Sequence, residues 1–337
     1  MLCRRVRQWI VVGICGAITV PVGAAGLKDE YPPPFDVRSA MAVRGPEHAL
    51  LLDASYTHAG SIVAVGEQGL VVVSRDGGSS WQQAVVPFDA SITRLFFVDD
   101  TRGWAVGHDG AILHTKDGGS TWALQRLDPD MGGPLLGVYF ADHQRGIVVG
   151  VNSTLLVTSD GGQTWHQGPR LNDEDDFELN LFDVAAMANG TLFIAAESGY
   201  VFRSTDGGTT WRRSRVPYKG SMFGITEAPW GIIVFGLLGH AFLSSDNGVT
   251  WQALVTGVDE SLLGGAVTGN GEVVLVGLGG TAIRSHNGGT RFERISVPGR
   301  RPFTAVLPSR NAQDALLLFG GGGVINLQNP FISTNQR

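Results

Sequence analysis

Short apolar runs alternate with glycine-rich turns along most of the chain. The runs IVAV and LVVV, for example, flank the turn GEQG (66–69). Short β-branched apolar runs joined by such turns predict β-hairpins. The pattern occurs seven times, with turns at GEQG (66–69), GHDG (107–110), GVNS (150–153), AESG (196–199), GLLG (236–239), GLGG (277–280) and GGGG (320–323).

An eight-residue motif follows six of these seven hairpins. Its copies are SRDGGSSW (74–81), TKDGGSTW (115–122), TSDGGQTW (158–165), STDGGTTW (204–211), SSDNGVTW (244–251) and SHNGGTRF (285–292). The third residue of the motif recurs at intervals of 41, 43, 46, 40 and 41 residues. Such a period is the length of one four-stranded propeller blade.

Each unit therefore consists of a strand, a loop, a strand, a hairpin turn, a strand, the motif and a last strand. Seven hairpins predict an all-β fold, a seven-bladed β-propeller of four-stranded blades over residues 36–327. The last unit, 303–327, supplies only three strands. We expect residues 36–44 to pair with this last blade and close the ring, because closure removes exposed sheet edges. Six blades followed by a C-terminal cap are the alternative.

The residues of the motif suit a structural role. Asp and Gly favour tight turns, Ser and Thr can hydrogen-bond across them, and the final aromatic ring can pack between blades. We therefore expect these residues to stabilise the fold. They are Asp76, Asp117, Asp160, Asp206, Asp246 and Asn287, with Trp81, Trp122, Trp165, Trp211, Trp251 and Phe292.

The first 35 residues have a different pattern. A positive start with Arg4 and Arg5 precedes an apolar stretch, and small residues follow at 22–24. This pattern predicts a signal peptide over residues 1–24 and export to the periplasm, with an uncleaved anchor as the alternative. Residues 25–35 contain three consecutive prolines and are expected to form a linker, and 328–337 a C-terminal tail.

Charge and cysteine content exclude several classes of function. The chain has a formal charge of −6, and loss of residues 1–24, with three arginines, would make it −9. An acidic protein is a poor nucleic-acid binder. Both cysteines, Cys3 and Cys15, lie in the predicted signal, so no disulfide is expected after cleavage. We expect no cofactor, and no metal, because His108 has no second histidine at ligand spacing.

Candidate binding residues lie in the hairpin turns between the second and third strands. Loops on a rigid scaffold commonly carry binding residues, although solvated hairpin tips explain the same residues. The candidates are Glu67, His108, Asp109, Glu197 and His240. Two further charged stretches, 172–178 and 211–215, are expected to be a solvated loop and an outer strand whose charges discourage edge pairing.

The motif resembles the Asp-box of sialidase-type (BNR) repeats. The longer unit, seen in VGEQGLVVVSRDGGSSW (65–81) and VGHDGAILHTKDGGSTW (106–122), resembles the photosystem II stability/assembly-factor-like family over residues 45–327. The resemblance implies a non-enzymatic, monomeric assembly or accessory factor that binds a membrane protein's extracytoplasmic loops without inserting into the membrane. It would act in the thylakoid lumen of a photosynthetic host, or beside an RND-type permease elsewhere.

The resemblance also implies a basic patch. Photosynthetic members carry arginines just before the Asp-box, where this chain has arginine in two of six copies. The six residues at that position are Val73, His114, Val157, Arg203, Leu243 and Arg284. Arg203 and Arg284 would form a reduced patch, to which Arg300 and Arg301 in a connection between blades would add.

A sialidase-like glycan-active or glycan-binding propeller is the alternative function. Tyr200 and Glu197 are the candidate pair for such chemistry. The arginine signature of those enzymes is absent, and the nearest match is Arg300-Arg301-Pro302 at the wrong end of the chain. An envelope scaffold without a defined client is a third possibility.

Overall fold

A computed structural model describes residues 38–171, 178–286, 289, 291–310, 312 and 315–328. Among them, no helix has both the length and the apolar character needed to cross a lipid bilayer. The predicted signal peptide and linker lie outside the described residues, as do most of the acidic stretch 172–178, Asn287 and nearly all of the predicted tail.

Seven antiparallel sheets form seven blades, which confirms the predicted seven-bladed propeller. Blades 1 to 4 consist of β1 (Leu51–Tyr56), β2 (Ile62–Gly66), β3 (Val71–Ser74) and β4 (Gln82–Gln83); β5 (Ile92–Phe97), β6 (Gly103–Gly107), β7 (Ile112–Thr115) and β8 (Ala123–Arg126); β9 (Leu135–Phe140), β10 (Gly146–Gly150), β11 (Leu155–Thr158) and β12 (His166–Gln167); β13 (Leu181–Ala186), β14 (Leu192–Ala196), β15 (Tyr200–Ser204) and β16 (Arg212–Arg215).

The remaining three blades have the same strand order. They consist of β17 (Met222–Ala228), β18 (Gly231–Gly236), β19 (Ala241–Ser244) and β20 (Gln252–Ala253); β21 (Leu262–Val267), β22 (Val273–Gly277), β23 (Ala282–His286) and β24 (Arg291–Arg294); β25 (Phe303–Pro308), β26 (Leu316–Gly320) and β27 (Gly323–Leu327). Short 3-10 helices occur at Pro46–His48, Glu67–Gly69, His108–Gly110, Pro129–Met131, Glu197–Gly199, Leu237–Gly239 and Leu278–Gly280.

The first strand of each blade lies innermost and contacts the first strands of both neighbouring blades. β1 contacts β5 on one side and β25 on the other, so this inner ring is closed. The second strands are the most deeply buried, and every residue of β2, β14 and β26 is buried. They lie between neighbouring blades, which explains why their sequences are continuous apolar runs.

The turns between the second and third strands are the predicted hairpins. The middle residue of the turn has a positive φ in each blade, as at Asp109 and Leu238, each with φ 54°. A glycine usually follows it, and a Cβ on Gly239 would lie only 2.0 Å from the carbonyl oxygen of Val258. Positive φ and close backbone approach together require the glycines that mark these turns in the sequence.

The ring closes by side-chain packing between blades 1 and 7. Leu317 and Phe319 of β26 pack with the buried apolar residues of blade 1, and Trp81 meets Phe319 edge to face, with ring centroids 6.0 Å apart. Thr304 Oγ1 also donates a hydrogen bond to the Leu51 carbonyl oxygen (2.8 Å).

Closure by an N-terminal strand is not confirmed. The sheet of blade 7 has three strands in the part of the chain that the structure describes, and residues 38–44 form no strand. That segment instead follows blade 1, where Ala40 N donates to Val86 O (3.0 Å) and Val43 N to Gln83 Oε1 (2.8 Å). β4 is only two residues long, which leaves the backbone beside it free to pair with this segment.

Candidate binding face

Each Asp-box is a closed hydrogen-bonded turn. In the second copy, Asp117 Oδ1 accepts from Thr115 Oγ1 (2.9 Å) and from the Thr121 backbone N–H (2.9 Å), and Asp117 Oδ2 accepts from Thr121 Oγ1 (2.6 Å). Thr115 Oγ1 in turn accepts from the Gly119 N–H (3.0 Å). The other four aspartate copies repeat these bonds.

The carboxylates are therefore occupied although they lie at the surface. The hydroxyl of the residue four positions later, with the backbone N–H groups, lowers the pKa of Asp76, Asp160, Asp206 and Asp246 to about 2. Hydrogen bonds to the ionised form favour that form, so these aspartates stay charged and bound inside their own turns.

The aromatic residues of the boxes fill the spaces beside the turns. Trp122 and Phe292 are buried, and Trp81, Trp165, Trp211 and Trp251 are half-buried. The indole N–H groups of Trp122 and Trp211 donate to the carbonyl oxygens of their own boxes (both 3.0 Å). Trp251 Nε1 instead reaches Ser214 Oγ in blade 4 (3.2 Å), so a box also contacts the preceding blade.

The boxes and the hairpin turns lie on opposite faces of the propeller. In blade 1, Ile62 pairs with Ser74 at the start of the box, whereas Val65 pairs with Val71 next to the turn. We call the face with the Asp-boxes the box face, and the face with the turns between second and third strands the turn face.

The nine predicted binding residues do not form one cluster. Arg203 and Arg284 lie near the box face, each just before a box. Seven others lie at the turn face, in the turns of blades 1, 2, 4 and 5 and in the connection between blades 6 and 7. They are Glu67, His108, Asp109, Glu197, His240, Arg300 and Arg301. No group of three potential metal ligands occurs among the described residues.

Several turn-face candidates have partners within the protein. Glu197 Oε2 accepts from the Asn180 backbone N–H (3.2 Å). His240 lies edge-on to Tyr218, with ring centroids 3.9 Å apart, and partial burial lowers its pKa. The Tyr200 ring lies beneath Arg215 (4.8 Å) and shares no hydrogen bond with Glu197 within the described chain. The hydrogen bond that would join a sialidase-like Tyr–Glu pair is thus not seen among the described residues.

Arg203 has an unexpected neighbour, Arg212. The two arginines are directly opposite each other on β15 and β16, and neither has an ion-pair partner among the residues that the structure covers. Arg203 Nε is buried without a hydrogen-bond partner there, and Arg212 is exposed. Like charges directly opposite each other destabilise a sheet, and no carboxylate of the described residues offsets this repulsion.

The arginine pair faces the crevice between blades 4 and 5. Side chains alternate along a strand, and Val201, two residues before Arg203, packs with blade 5. Ser214, two residues after Arg212, accepts from Trp251 of blade 5. The two guanidinium groups thus lie beside the blade 5 box, where an acidic group of a partner could bind both.

Arg284, at the corresponding position of blade 6, is in a different state. Its Nε donates to Glu293 Oε1 (2.7 Å), and the same oxygen lies 2.6 Å from His286 Nε2. Only 16% of the Arg284 side chain is exposed. The sequence groups Arg203 with Arg284. The two arginines differ, however, because a carboxylate of the protein pairs with Arg284 and none of the described residues does so with Arg203.

The sequence did not single out a charged cluster in the inner ring. Arg94 of β5 contacts Asp53 of β1 (Nη1–Oδ1 3.6 Å) and Asp183 of β13 (Nη2–Oδ1 3.3 Å). Asp53 Oδ2 also accepts from Leu95 N (3.0 Å), and Asp183 Oδ2 from Ile225 N (3.2 Å). Burial raises the pKa of Asp53 to about 6, although Arg94 opposes this. In the sequence, this cluster shows itself as one charged residue inside each of three apolar strands.

Fold and boxes define this chain as an Asp-box β-propeller. The model of the family described as photosynthesis system II assembly factor YCF48 matches residues 36–136 and 130–289. The chain belongs to this family, which confirms the resemblance seen in the sequence. A search of the curated proteins finds no match to it.

Solved structures show the same fold at low identity. YCF48 bound to D1 peptide is 20% identical, with a TM-score of 0.66 over 86% of this chain and 98% of that one. YCF48 from Cyanidioschyzon merolae is 19% identical, with a TM-score of 0.65 over 85% and 97%. The GH74 enzyme from Niastella koreensis is 18% identical, with a TM-score of 0.62 over 86% of this chain and 44% of that one. The protein is thus similar both to assembly factors and to part of a glycoside hydrolase.

Proposed function

We propose that this protein binds an extracytoplasmic segment of a membrane protein and acts as a non-enzymatic assembly or accessory factor. Family membership supports this proposal, and a similar propeller has been solved with a D1 peptide. The predicted signal peptide agrees with action outside the cytoplasm. The client is a photosystem subunit in a photosynthetic host and an RND-type permease in another.

The pairing of Arg203 with Arg212 carries the proposal. The two cations lie opposite each other on neighbouring strands, and the described chain supplies no carboxylate for either. An acidic side chain of the client would bind both guanidinium groups by charge-assisted hydrogen bonds. It would also relieve the repulsion between them, so binding and stability would rise together.

A peptide array tests this proposal. Synthetic peptides would cover the extracytoplasmic segments of the host's polytopic membrane proteins, together with the D1 peptide, and binding would be measured by fluorescence anisotropy. We expect an acidic peptide to bind, and to bind about tenfold or more weakly after Arg203→Ala with Arg212→Ala, because two charge-assisted hydrogen bonds are lost. Higher salt should weaken binding to the unmodified protein more than to the variant.

The matched control is Arg300→Ala with Arg301→Ala, which removes the same charge from the turn face. Equal losses in both double variants would indicate a general charge effect. A loss confined to the control would move the client site to the turn face and overturn the role of Arg203 and Arg212.

A further inference from the structure

A second site lies on the box face, in the crevice between blades 2 and 3. A cavity of about 470 Å³ opens there between the strands of blade 2 and the Asp-box of blade 3. Its floor is Trp104, whose indole stacks on Phe140 with ring centroids 3.5 Å apart. The cavity is therefore lined by an aromatic ring and by polar side chains.

Two polar atoms in the walls are buried without a hydrogen-bond partner in the described structure: His114 Nε2 and Gln125 Oε1. Gln125 Nε2 donates to the Gly161 carbonyl oxygen (3.0 Å), which fixes the amide so that Oε1 is the unpaired acceptor. Buried polar groups are nearly always paired with protein or with ordered water, so a ligand that reached these two atoms would gain contacts that the protein does not supply. A ligand with an N–H or O–H group would satisfy Gln125 Oε1.

Two cations, Arg102 and Lys116, line the same cavity, and neither forms an ion pair within the described ranges. Burial, together with the fields of Lys116 and Arg102, lowers the pKa of His114 to about 4, so its imidazole is neutral near pH 7. Asp160, the acidic residue of the wall, is bound within its own box. The cavity therefore favours an anionic group.

We propose that this crevice binds an aspartate or glutamate residue of a peptide, with the carboxylate between Arg102 and Lys116 and an adjacent amide N–H donating to Gln125 Oε1. His114 Nε2 completes the contact with the carboxylate. This inference rests on the proposed function in one respect, that the ligand is a peptide. The crevice and the Arg203–Arg212 pair lie on the same face, so one client could reach both.

The test uses a small probe on the full chain. N-acetyl-aspartate N-methylamide carries a carboxylate and an adjacent amide N–H, and N-acetyl-asparagine N-methylamide is its neutral match. NMR would follow the side-chain ¹⁵N signals of His114 and Trp104 during titration. We expect saturable shifts with the aspartate probe alone, and at least fivefold weaker binding after Arg102→Gln or Lys116→Gln.

A third probe and two variants separate the possible outcomes. Acetate lacks the N–H donor and should bind more weakly than the aspartate probe. Gln125→Ala should remove this difference between the two probes. Arg203→Ala with Arg212→Ala should leave probe binding unchanged while it weakens client binding, so failure of the proposed function can be told from failure of this site. Equal shifts with the asparagine probe, or no shifts at His114 and Trp104, would overturn the inference.

Discussion

At the scale of single residues, Arg94 connects three blades that are distant in sequence. Its guanidinium lies between the carboxylates of Asp53 and Asp183, on first strands of blades 1 and 4. Blade 3, which lies between Arg94 of blade 2 and Asp183 of blade 4, has Gly137 in its first strand, and a Cβ there would lie 3.1 Å from the Cα of Asp183. The small residue leaves room for Arg94 to reach across. This cluster should hold the inner ring in register.

The raised pKa of Asp53 predicts a pH dependence of stability. The folded-state pKa is about 6 against an ordinary 3.8, so the native state binds more protons than the unfolded state between these values. Stability from this group is therefore highest below pH 4 and falls as pH rises to 6, by on the order of 3 kcal/mol. Urea unfolding of the unmodified protein and of Asp53→Asn at pH 4, 5, 6 and 7 measures this change in the free energy of unfolding.

The difference in unfolding free energy between the two proteins should change across pH 4–6 and be constant above it. Taking the difference removes the opposite contribution of the box aspartates, whose lowered pKa values make stability fall only in stronger acid. Asp259→Asn, at an exposed position, is the control. Parallel curves for the unmodified protein and Asp53→Asn would show that Asp53 titrates normally.

At the scale of elements, the repeat period and the turn glycines are sufficient to predict the blades. Every predicted hairpin occurs, because local turn chemistry and apolar runs act within about 40 residues. The candidate binding site could not be predicted in the same way, because it depends on contacts between strands. The sequence places Arg212 among outer-strand charges, and its position opposite Arg203 depends on a strand register that the sequence does not reveal. Asp53, Arg94 and Asp183 meet only because the ring brings their strands together.

The Asp-box predicts a graded loss of stability. Asp117→Ala leaves Thr115 Oγ1 and the Thr121 N–H without their acceptor, and should cost about 1–2 kcal/mol. Asp117→Asn keeps one acceptor oxygen and should cost less. Chemical denaturation measures both, with Asp259→Ala as the control. A cost for Asp117→Ala no larger than that of the control would contradict the structural role of the box.

At the scale of the whole molecule, the propeller presents two faces, and the sequence does not show which of them binds a partner. The turn face carries most of the residues selected from the sequence, in the turns of four blades and in the connection between blades 6 and 7. The box face carries the uncompensated Arg203–Arg212 pair and the crevice between blades 2 and 3. The Arg203–Arg212 pair and the unpaired polar atoms of the crevice both lie on the box face, and a partner that supplied a carboxylate and an N–H donor there would satisfy them.

Photo-crosslinking in intact cells tests this central claim most directly. A crosslinking amino acid would replace Val249 on the box face or Leu238 on the turn face, both in blade 5 and 63% and 56% exposed. We predict that position 249 forms an adduct with one polytopic membrane protein, and that Arg203→Ala with Arg212→Ala removes it. An adduct from position 238 alone, or from neither position, would contradict client binding at the box face.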